Sequence, residues 1–469
     1  MDEPLKDGED TFRDHIATVN EKGKRIWVYP KKPGGKFYNY RKWVSYFLLF
    51  LLFASPHIKY HGEQLFLFNV VERKFVIFFK VFWPQDLYIF AIAIVLGVVF
   101  VIFFTIIYGR IFCGWVCPQT IFMEMLFRRV EYWIEGDWTH QKKLSAQPWN
   151  TEKILKRGGK HVAFWLISFI IANTFLSYII GSDELWRIAT DPIGEHWGGF
   201  IAIIIFTYVF YGVFAWLREQ VCTTICPYGR LQGVLLDENS MVVAYDHKRG
   251  ENRGKFKKGE DRSQTSKGDC IDCKQCVHVC PTGIDIRNGT QLECINCTAC
   301  IDACDHIMEG VGMEKGLIRF VSEKGITERK GFEWTRRVKA YTFLLFLLMV
   351  LLGVLLVTRK DVETTILRQR GSTFQITDDK QISNIFEINM TNKTRHDFNI
   401  RLTTDCKDCS IKTVVKKMKL DKEKRMKERF IMKMPVSNIS GGKRMIKVQI
   451  WGNGKLLEET EVKFIGPLL

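Results

Sequence analysis

The first 42 residues of this 469-residue chain contain no long apolar run, and their composition is polar and basic. A cleavable signal peptide needs an apolar core of about 7–15 residues, so we expect none in this stretch. Charge is also missing from four apolar runs of 18 to 22 residues further along the chain. Buried helices of soluble proteins are shorter and more amphipathic, so these runs exclude a soluble fold.

The charge-free runs are long enough to cross a membrane. At ~1.5 Å rise per residue, each can span a hydrocarbon layer of ~30 Å. They are Leu87–Tyr108, Val162–Gly181, Gly199–Leu217 and Ala340–Val357. A shorter run, Tyr46–Ser55, is extended upstream by Trp43 and Val44 and is a further candidate. The sequence therefore predicts a polytopic α-helical membrane protein with about five spans.

The net charge of +17 does not indicate a nucleic-acid partner, because the basic residues flank the apolar runs. Ten Lys and Arg residues precede the first span, and nine more lie from Arg110 to Lys160. The connection 182–198 holds only Arg187 beside four acidic residues. Basic loops stay in the cytoplasm, and a long tail translocates largely regardless of its lysines. We expect a cytoplasmic N-terminus and, after five spans, an external C-terminal segment.

These features divide the chain into five predicted segments. Residues 1–42 form a cytoplasmic basic arm, residues 43–230 a four-span membrane domain, and residues 231–339 a cytoplasmic, cysteine-rich insert. Residues 340–357 form the fifth span, and residues 358–469 follow it outside.

The last segment has the pattern of a small immunoglobulin-like β-sandwich. Short strand-like stretches alternate with turns such as Gly452-Asn453-Gly454. The stretches are Ile385–Asn389, Asn399–Leu402, Lys412–Val415, Phe430–Met434 and Met445–Trp451. Cys406-x2-Cys409 also lies here. We expect a disulfide in an oxidising compartment, with a transient copper site as the alternative.

The insert carries eight cysteines in two runs of identical spacing. The runs are Cys270-x2-Cys273-x2-Cys276-x3-Cys280 and Cys294-x2-Cys297-x2-Cys300-x3-Cys304. Zinc sites usually pair two Cys-x2-Cys elements, and disulfides need an oxidising compartment, so neither explains the pattern. The spacing is that of bacterial proteins with two [4Fe–4S] clusters, in which the fourth cysteine ligates the other cluster. We expect a ferredoxin-like domain with one cluster on Cys270, Cys273, Cys276 and Cys304 and a second on Cys294, Cys297, Cys300 and Cys280.

Two further cysteine pairs follow the second and fourth spans, as Cys113-x3-Cys117-Pro118 and Cys222-x3-Cys226-Pro227. Residues four apart share a helix face, so each pair is expected to converge, with the proline ending or kinking the helix. Four sulfurs would form one soft site, suited to Cu(I), to a further iron–sulfur centre or to dithiol redox chemistry. A single pair would indicate only packing, whereas two matching copies favour a redox or metal role.

With these motifs the chain resembles the cytochrome c oxidase accessory protein family known as CcoG, FixG or RdxA. The resemblance covers nearly the whole chain, including the order of spans, insert and external β-domain. The residues that show the resemblance are the two cysteine runs and two membrane motifs. The motifs are Arg110-x2-Cys113-Gly114-Trp115-x-Cys117-Pro118-Gln119-Thr120 and Cys222-x3-Cys226-Pro227-Tyr228-Gly229-Arg230. One departure is Asp305, which follows Cys304 where the first run has Pro281; its negative charge would bear on the cluster potential.

The resemblance implies a bacterial inner-membrane protein that helps to assemble cbb3-type cytochrome c oxidase by reducing Cu(II) to Cu(I). Copper-trafficking or oxidase assembly proteins are the implied partners. The membrane motifs and the insert are also shared with quinol-oxidising subunits of the NapH kind. The fifth span and the C-terminal sandwich favour the first family.

Three functions fit these features. The first is a cupric reductase, in which electrons from a soluble cytoplasmic donor reach a catalytic copper site of Cys113, Cys117, Cys222 and Cys226. The second is a quinol-linked electron-transfer subunit, which would need polar groups of a quinone pocket between the spans; we identify none. The third is a redox-sensing assembly factor without enzymatic activity. The sequence leaves the electron donor and the oligomeric state, including a homo-oligomer, open.

Overall fold

A computed structural model describes residues 18–467 apart from positions 20–21, 23, 61, 71–72, 193, 258–261, 263–265, 330, 370, 372, 378–380, 395, 416 and 440. Residues 1–17 of the predicted arm lie outside the described residues. The chain divides into two compact units. The N-terminal unit comprises the described residues of Met1–Glu72 and Ala91–Val350, and the C-terminal unit those of Arg73–Phe90 and Leu351–Leu469. The predicted division into five segments stays a prediction.

Four helices in the described part of the chain are long and apolar enough to cross a membrane. They are Leu87–Tyr108, Thr151–Ile180, Trp197–Leu217 and Arg336–Val357, and they contain the four charge-free runs apart from Gly181. The predicted first span lies in the helix Lys36–Ala54. This helix does not reach the same apolarity, because its first half is polar and includes Arg41 and Lys42. The predicted first span, and with it the total of five, therefore stays a prediction.

Short elements complete the N-terminal unit. Its remaining helical segments are Ile111–Trp115, Pro118–Ile121, Phe122–Phe127, Arg128–Ile134, Trp138–Ala146, Ser182–Thr190, Val221–Ile225, Pro227–Leu235, His247–Gly250, Gln275–His278, Ile286–Asn288, Ala299–Gly310 and Glu323–Thr327. Its strands are Lys59–Tyr60, Glu63–Gln64, Phe66–Asn69, Val242–Tyr245 and Ile318–Val321. The last two strands pair in antiparallel fashion and bracket both cysteine runs in the sequence.

The two apolar helices before the membrane cysteine motifs end at residues with positive φ. Gly109 has φ +58° and Arg218 has φ +54°, and a left-handed residue cannot continue a right-handed helix. Each motif therefore starts in a new short helix. The expectation that each cysteine pair shares one helix face was wrong, because the helix Ile111–Trp115 ends before Cys117 and the helix Val221–Ile225 ends before Cys226.

A buried carboxylate fixes Arg218 in this conformation. The two terminal nitrogens of Arg218 donate to the two carboxylate oxygens of Glu131 at 2.7 Å each. Lys160 lies 3.6 Å from the same carboxylate, and all three side chains are buried. Burial alone raises the pKa of Glu131, but Arg218 and Lys160 outweigh it and lower this pKa to about 2. The ion pairs join the helices Arg128–Ile134 and Thr151–Ile180 to the turn before the second motif.

The C-terminal unit confirms the predicted sandwich. Four of the five predicted stretches fall on its strands, and the fifth, Lys412–Val415, extends two residues past the strand Ser410–Thr413. One sheet has the order Ser410–Thr413, Arg425–Pro435, Gln381–Asn392, Val362–Arg368, and Gln375–Thr377 also pairs with Gln381–Asn392. The other has the order Met418–Leu420, Phe398–Thr404, Lys443–Gly452, Lys455–Ile465. Asn453 and Gly454, both with positive φ, form the predicted turn between the last two strands.

Two further features complete the C-terminal unit. Cys406 and Cys409 form the expected disulfide. The strands Lys74–Ile77 and Lys80–Phe82 pair with each other, and a short helical turn, Pro84–Asp86, follows them. The fully buried Asp86 carboxylate accepts from Arg359 at 2.8 Å and from Lys393 at 2.6 Å.

We predict that Glu131→Gln destabilises the N-terminal unit, because Arg218 and Lys160 would lose their shared buried counter-charge. Removing one partner of a buried ion pair costs about 3–5 kcal/mol. The thermal unfolding midpoint of the purified protein in detergent measures the effect. Glu152→Gln, which removes only an exposed pair with Lys156, is the control and should leave the midpoint unchanged. Equal midpoints for the two variants would contradict a stabilising role for the network.

Candidate functional site

Both cysteine runs adopt the same unusual backbone. In each run, the two residues next to the second cysteine have positive φ. They are Asp272, Lys274, Asn296 and Thr298. This conformation is uncommon for any residue with a side chain and is an outlier for a β-branched threonine. Such strain concentrates at ligand-binding sites, where the surroundings hold it in place. The two runs therefore form equivalent binding loops.

Two cavities inside the insert are lined by the predicted ligands. One is lined by Cys270, Cys273, Cys276 and Cys304. The other is lined by Cys280, Cys294, Cys297 and Cys300, together with Cys276. We call them the first and the second cavity. Four thiols around each space suit a [4Fe–4S] cubane, and the sets are those expected if the fourth cysteine crosses over. The assignment of individual ligands stays a prediction.

Exposure distinguishes the two cavities. Cys273 of the first cavity is exposed, whereas the other seven cysteines of the runs are buried or half-buried. Burial raises the pKa of both Cys276 and Cys294 to about 12, so the metal-free thiols are neutral at pH 7. Metal ligation requires the thiolate, so loading with iron would release these protons.

The membrane cysteines occupy equivalent positions in their two motifs. Cys117 and Cys226 each precede a proline that is the first residue of a helix. Their backbones are nearly the same, with φ −58° and ψ 124° for Cys117 and φ −69° and ψ 112° for Cys226. Cys113 and Cys222 lie in the short helices just before them. Each pair therefore has one helical and one non-helical thiol, because a proline disfavours helical backbone at the residue before it.

The side chain of Gln232 joins the two motifs. Its oxygen accepts from Cys113 Sγ and from Arg110 Nε, both at 3.1 Å, and the residue is fully buried. Burial raises the pKa of Cys222 to about 12, and the thiols of Cys113, Cys117 and Cys226 add to the rise. These influences place the four sulfurs in one region, although no three of them lie within 4.8 Å of one another. Gln232 was missed from the sequence, because a single glutamine in a short polar helix carries no recognisable pattern.

The first membrane motif packs directly against the second cysteine run. A methyl group on Gly114 would overlap the carbonyl oxygen of Ile295 and would lie 3.0 Å from Cα of Cys297. Cys113 and Cys297 also share one buried apolar cluster with Ile295. Only a residue without a side chain allows two backbones to come this close. Cys113 therefore packs beside Cys297, which lines the second cavity.

The end of the predicted arm is also part of this region. Asp302 accepts from the backbone nitrogen of Phe37 at 3.1 Å and from that of Tyr38 at 2.7 Å, which caps the helix Lys36–Ala54. The helix therefore begins inside the predicted arm of residues 1–42. One turn later, Arg41 Nε donates to the carbonyl oxygen of Gly114 at 2.7 Å.

Three family models match the chain. A 4Fe-4S binding domain covers residues 90–142, a 4Fe-4S dicluster domain covers residues 217–323, and an Ig-like fold at the C-terminal of FixG covers residues 352–467. The first match contains Cys113 and Cys117, and the second contains Cys222, Cys226 and all eight cysteines of the insert.

Several curated proteins are similar over most of the chain. Proteins RdxB and RdxA of Cereibacter sphaeroides are each 33% identical over 400 residues, which is 81% of this chain and 83% and 82% of their own lengths. Nitrogen fixation protein FixG of Rhizobium meliloti is 38% identical over 308 residues, or 64% of this chain and 58% of FixG.

We predict that two double variants differ in iron content if the fourth cysteine of each run ligates the other cluster. Cys280→Ser with Cys297→Ser would remove ligands from one cluster only and retain about four of about eight irons per chain. Cys304→Ser with Cys297→Ser would remove a ligand from each cluster and lose both. Iron analysis of anaerobically purified protein measures the difference. The reverse ranking would show that each run closes its own cluster.

Proposed function

The chain belongs to the FixG/RdxA family of membrane-associated iron–sulfur electron-transfer proteins, and we propose that it reduces Cu(II) to Cu(I) for the assembly of cbb3-type cytochrome c oxidase. Cys113, Cys117, Cys222 and Cys226 form the copper site in this proposal. The two cysteine runs hold the clusters with the crossed ligand sets given above.

The reaction takes one electron and no proton for each copper ion. A soluble cytoplasmic reductant supplies the electron, and Cu(II) leaves as Cu(I). When bound, the two [4Fe–4S] clusters supply one-electron transfer. The four sulfurs favour the product, because thiolates are soft ligands and Cu(I) is the softer copper ion.

The contact between Gly114 and the backbone at Cys297 is the observation that carries the proposal. It brings Cys113 into the same buried cluster as a predicted ligand of the second iron–sulfur cluster, so an electron has a short way to the copper site. The exposed Cys273 supports entry of electrons at the first cavity, because a soluble donor can approach that thiol.

The proposal places the protein in the bacterial inner membrane. The N-terminus, the arm and the insert (residues 231–339) face the cytoplasm, and the Ig-like segment (residues 358–469) faces the periplasm. The asymmetric distribution of Lys and Arg between the connections supports this orientation. The disulfide of Cys406 and Cys409 supports an oxidising compartment for the last segment.

We predict that serine at all four positions 113, 117, 222 and 226 lowers cupric reduction to the rate seen without protein, because hydroxyls are poor ligands for Cu(I). Anaerobic assays of the purified protein with a Cu(I) indicator measure the rate. The Cys406→Ser, Cys409→Ser variant is the matched control and should keep full activity.

Other outcomes of this experiment select the other functions. Unchanged cupric reduction in the quadruple variant would remove the copper assignment from these thiols. If the wild-type protein holds more than about eight irons per chain and the quadruple variant loses the excess, a further iron–sulfur centre lies at these four cysteines. The 4Fe-4S family match at residues 90–142 favours this outcome. Cluster reduction by a quinol, without cupric turnover, would identify the quinol-linked function.

We predict that Gly114→Ala slows the reoxidation of reduced protein by Cu(II). The new methyl group must push the loop at Ile295 away, which lengthens the distance that the electron crosses and so lowers the rate. Stopped-flow absorbance of the iron–sulfur chromophore measures reoxidation. Gly158→Ala is the matched control, since its methyl group would meet no atom within 4 Å. Equal rates for the two variants would show that the contact is not on the electron route.

A further inference from the structure

Two arginines are buried where the first membrane motif meets the second cavity. Arg41 is 1% exposed and Arg110 is 3% exposed. Arg41 is held by the carbonyl oxygen of Gly114, and Arg110 is held by Gln232, which also accepts from Cys113. Both guanidinium groups are therefore fixed beside the contact described above.

Neither arginine has a carboxylate partner among the residues that the structure describes. One terminal nitrogen of each, Nη2 of Arg41 and Nη1 of Arg110, also has no hydrogen-bond partner there. Other buried arginines of the N-terminal unit are paired, Arg128 with Glu124 and Arg218 with Glu131. A buried cation without a counter-charge is costly. The two unpaired guanidinium groups therefore fit an anionic group in the adjoining cavity, and a cubane with four thiolates is one.

Contacts place both charges at the second cavity. Arg41 donates to the carbonyl oxygen of Gly114, and Gly114 lies against the backbone of Cys297, which lines that cavity. Cys113, which shares a hydrogen-bond acceptor with Arg110, packs with Cys297 in one buried cluster.

The first cavity is lined by two cations, Lys274 and Arg287, but Lys274 is exposed to solvent and Arg287 is paired. The guanidinium of Arg287 pairs with Asp272 and with Asp285, each at 2.6 Å. Asp305 directly follows Cys304, which lines the same cavity. Two carboxylates balance the one arginine, and a third lies close by.

We propose that Arg41 and Arg110 are positioning residues that hold two positive charges beside the second cluster and give it the higher reduction potential of the two. Reduction adds one negative charge to a cluster, and a nearby buried cation stabilises that charge in a low-dielectric interior. An electron that enters at the first cavity then passes to the second, which oxidises the first cluster and reduces the other without any proton. The inference deepens the proposed function, because the electron comes to rest next to the membrane thiols.

An EPR-monitored redox titration of the full-length protein, purified anaerobically in detergent and free of copper, tests this. Arg41→Gln and Arg110→Gln remove one charge each, Arg41→Lys and Arg110→Lys retain it, and Arg287→Gln removes a charge at the first cavity. We expect both glutamine variants to lower the midpoint potential of the same cluster. The lysine variants should stay near the wild-type value, and Arg287→Gln should lower the potential of the other cluster.

Two results would overturn the proposal. One is unchanged midpoint potentials in both glutamine variants; the other is a shift in the cluster that also responds to Arg287→Gln. Iron content identifies a variant that has lost a cluster. If one glutamine variant loses a cluster, the midpoint potential of the other variant tests the proposal, because each arginine contributes its own charge.

The titration is independent of copper turnover, so the two proposals fail separately. The expected shifts in a protein that reduces no Cu(II) would reject the cupric reductase and keep this inference. Unchanged potentials in an active reductase would reject this inference alone.

Discussion

The insert is joined to the first membrane motif by a backbone contact that leaves no room for a side chain. Gly114 makes this contact with the loop at Ile295 and Cys297. A second close approach supports it, because Gly109 packs against the backbone of Met241, whose nitrogen donates to the carbonyl oxygen of Ile107 at 2.9 Å. Both contacts are made by the main chain, so flexible side chains do not set the distance between the insert and the first membrane motif. The distance from predicted cluster ligands to membrane thiols is therefore a fixed property of the fold.

The two membrane motifs have the same arrangement of residues but are held in place by different interactions. In each, a residue with positive φ ends the apolar helix, and the two cysteines and the proline follow at the same intervals. Gly109 adopts this backbone freely and leaves space for the insert, whereas Arg218 is held in it by Glu131. The first motif is thus built for contact with the insert, and the second is anchored to the neighbouring helices by charge.

Local patterns in the sequence were enough to predict much of this structure. The cysteine spacing, the charge-free runs and the alternation in the last segment each depend on residues near one another in the chain. The helix break at Gly109 had a local signal, since glycine commonly follows the last helical residue. The break at Arg218 and the roles of Arg41 and Gln232 had none. They depend on Glu131, Gly114 and Cys113, which are far away in sequence and become neighbours only in the folded chain.

The cap that Asp302 provides has a consequence for biosynthesis. It lies 265 residues downstream of Phe37, so a ribosome working at about 5–20 residues per second takes roughly 13–53 s to reach it. During translation the start of the helix Lys36–Ala54 has to wait for that carboxylate. Asp302 sits between Cys300 and Cys304, in a helix that both cavities share. This helix, which precedes the other helices in the described part of the chain, is therefore completed only after the insert is made, and a cell short of iron would be expected to leave this step unfinished.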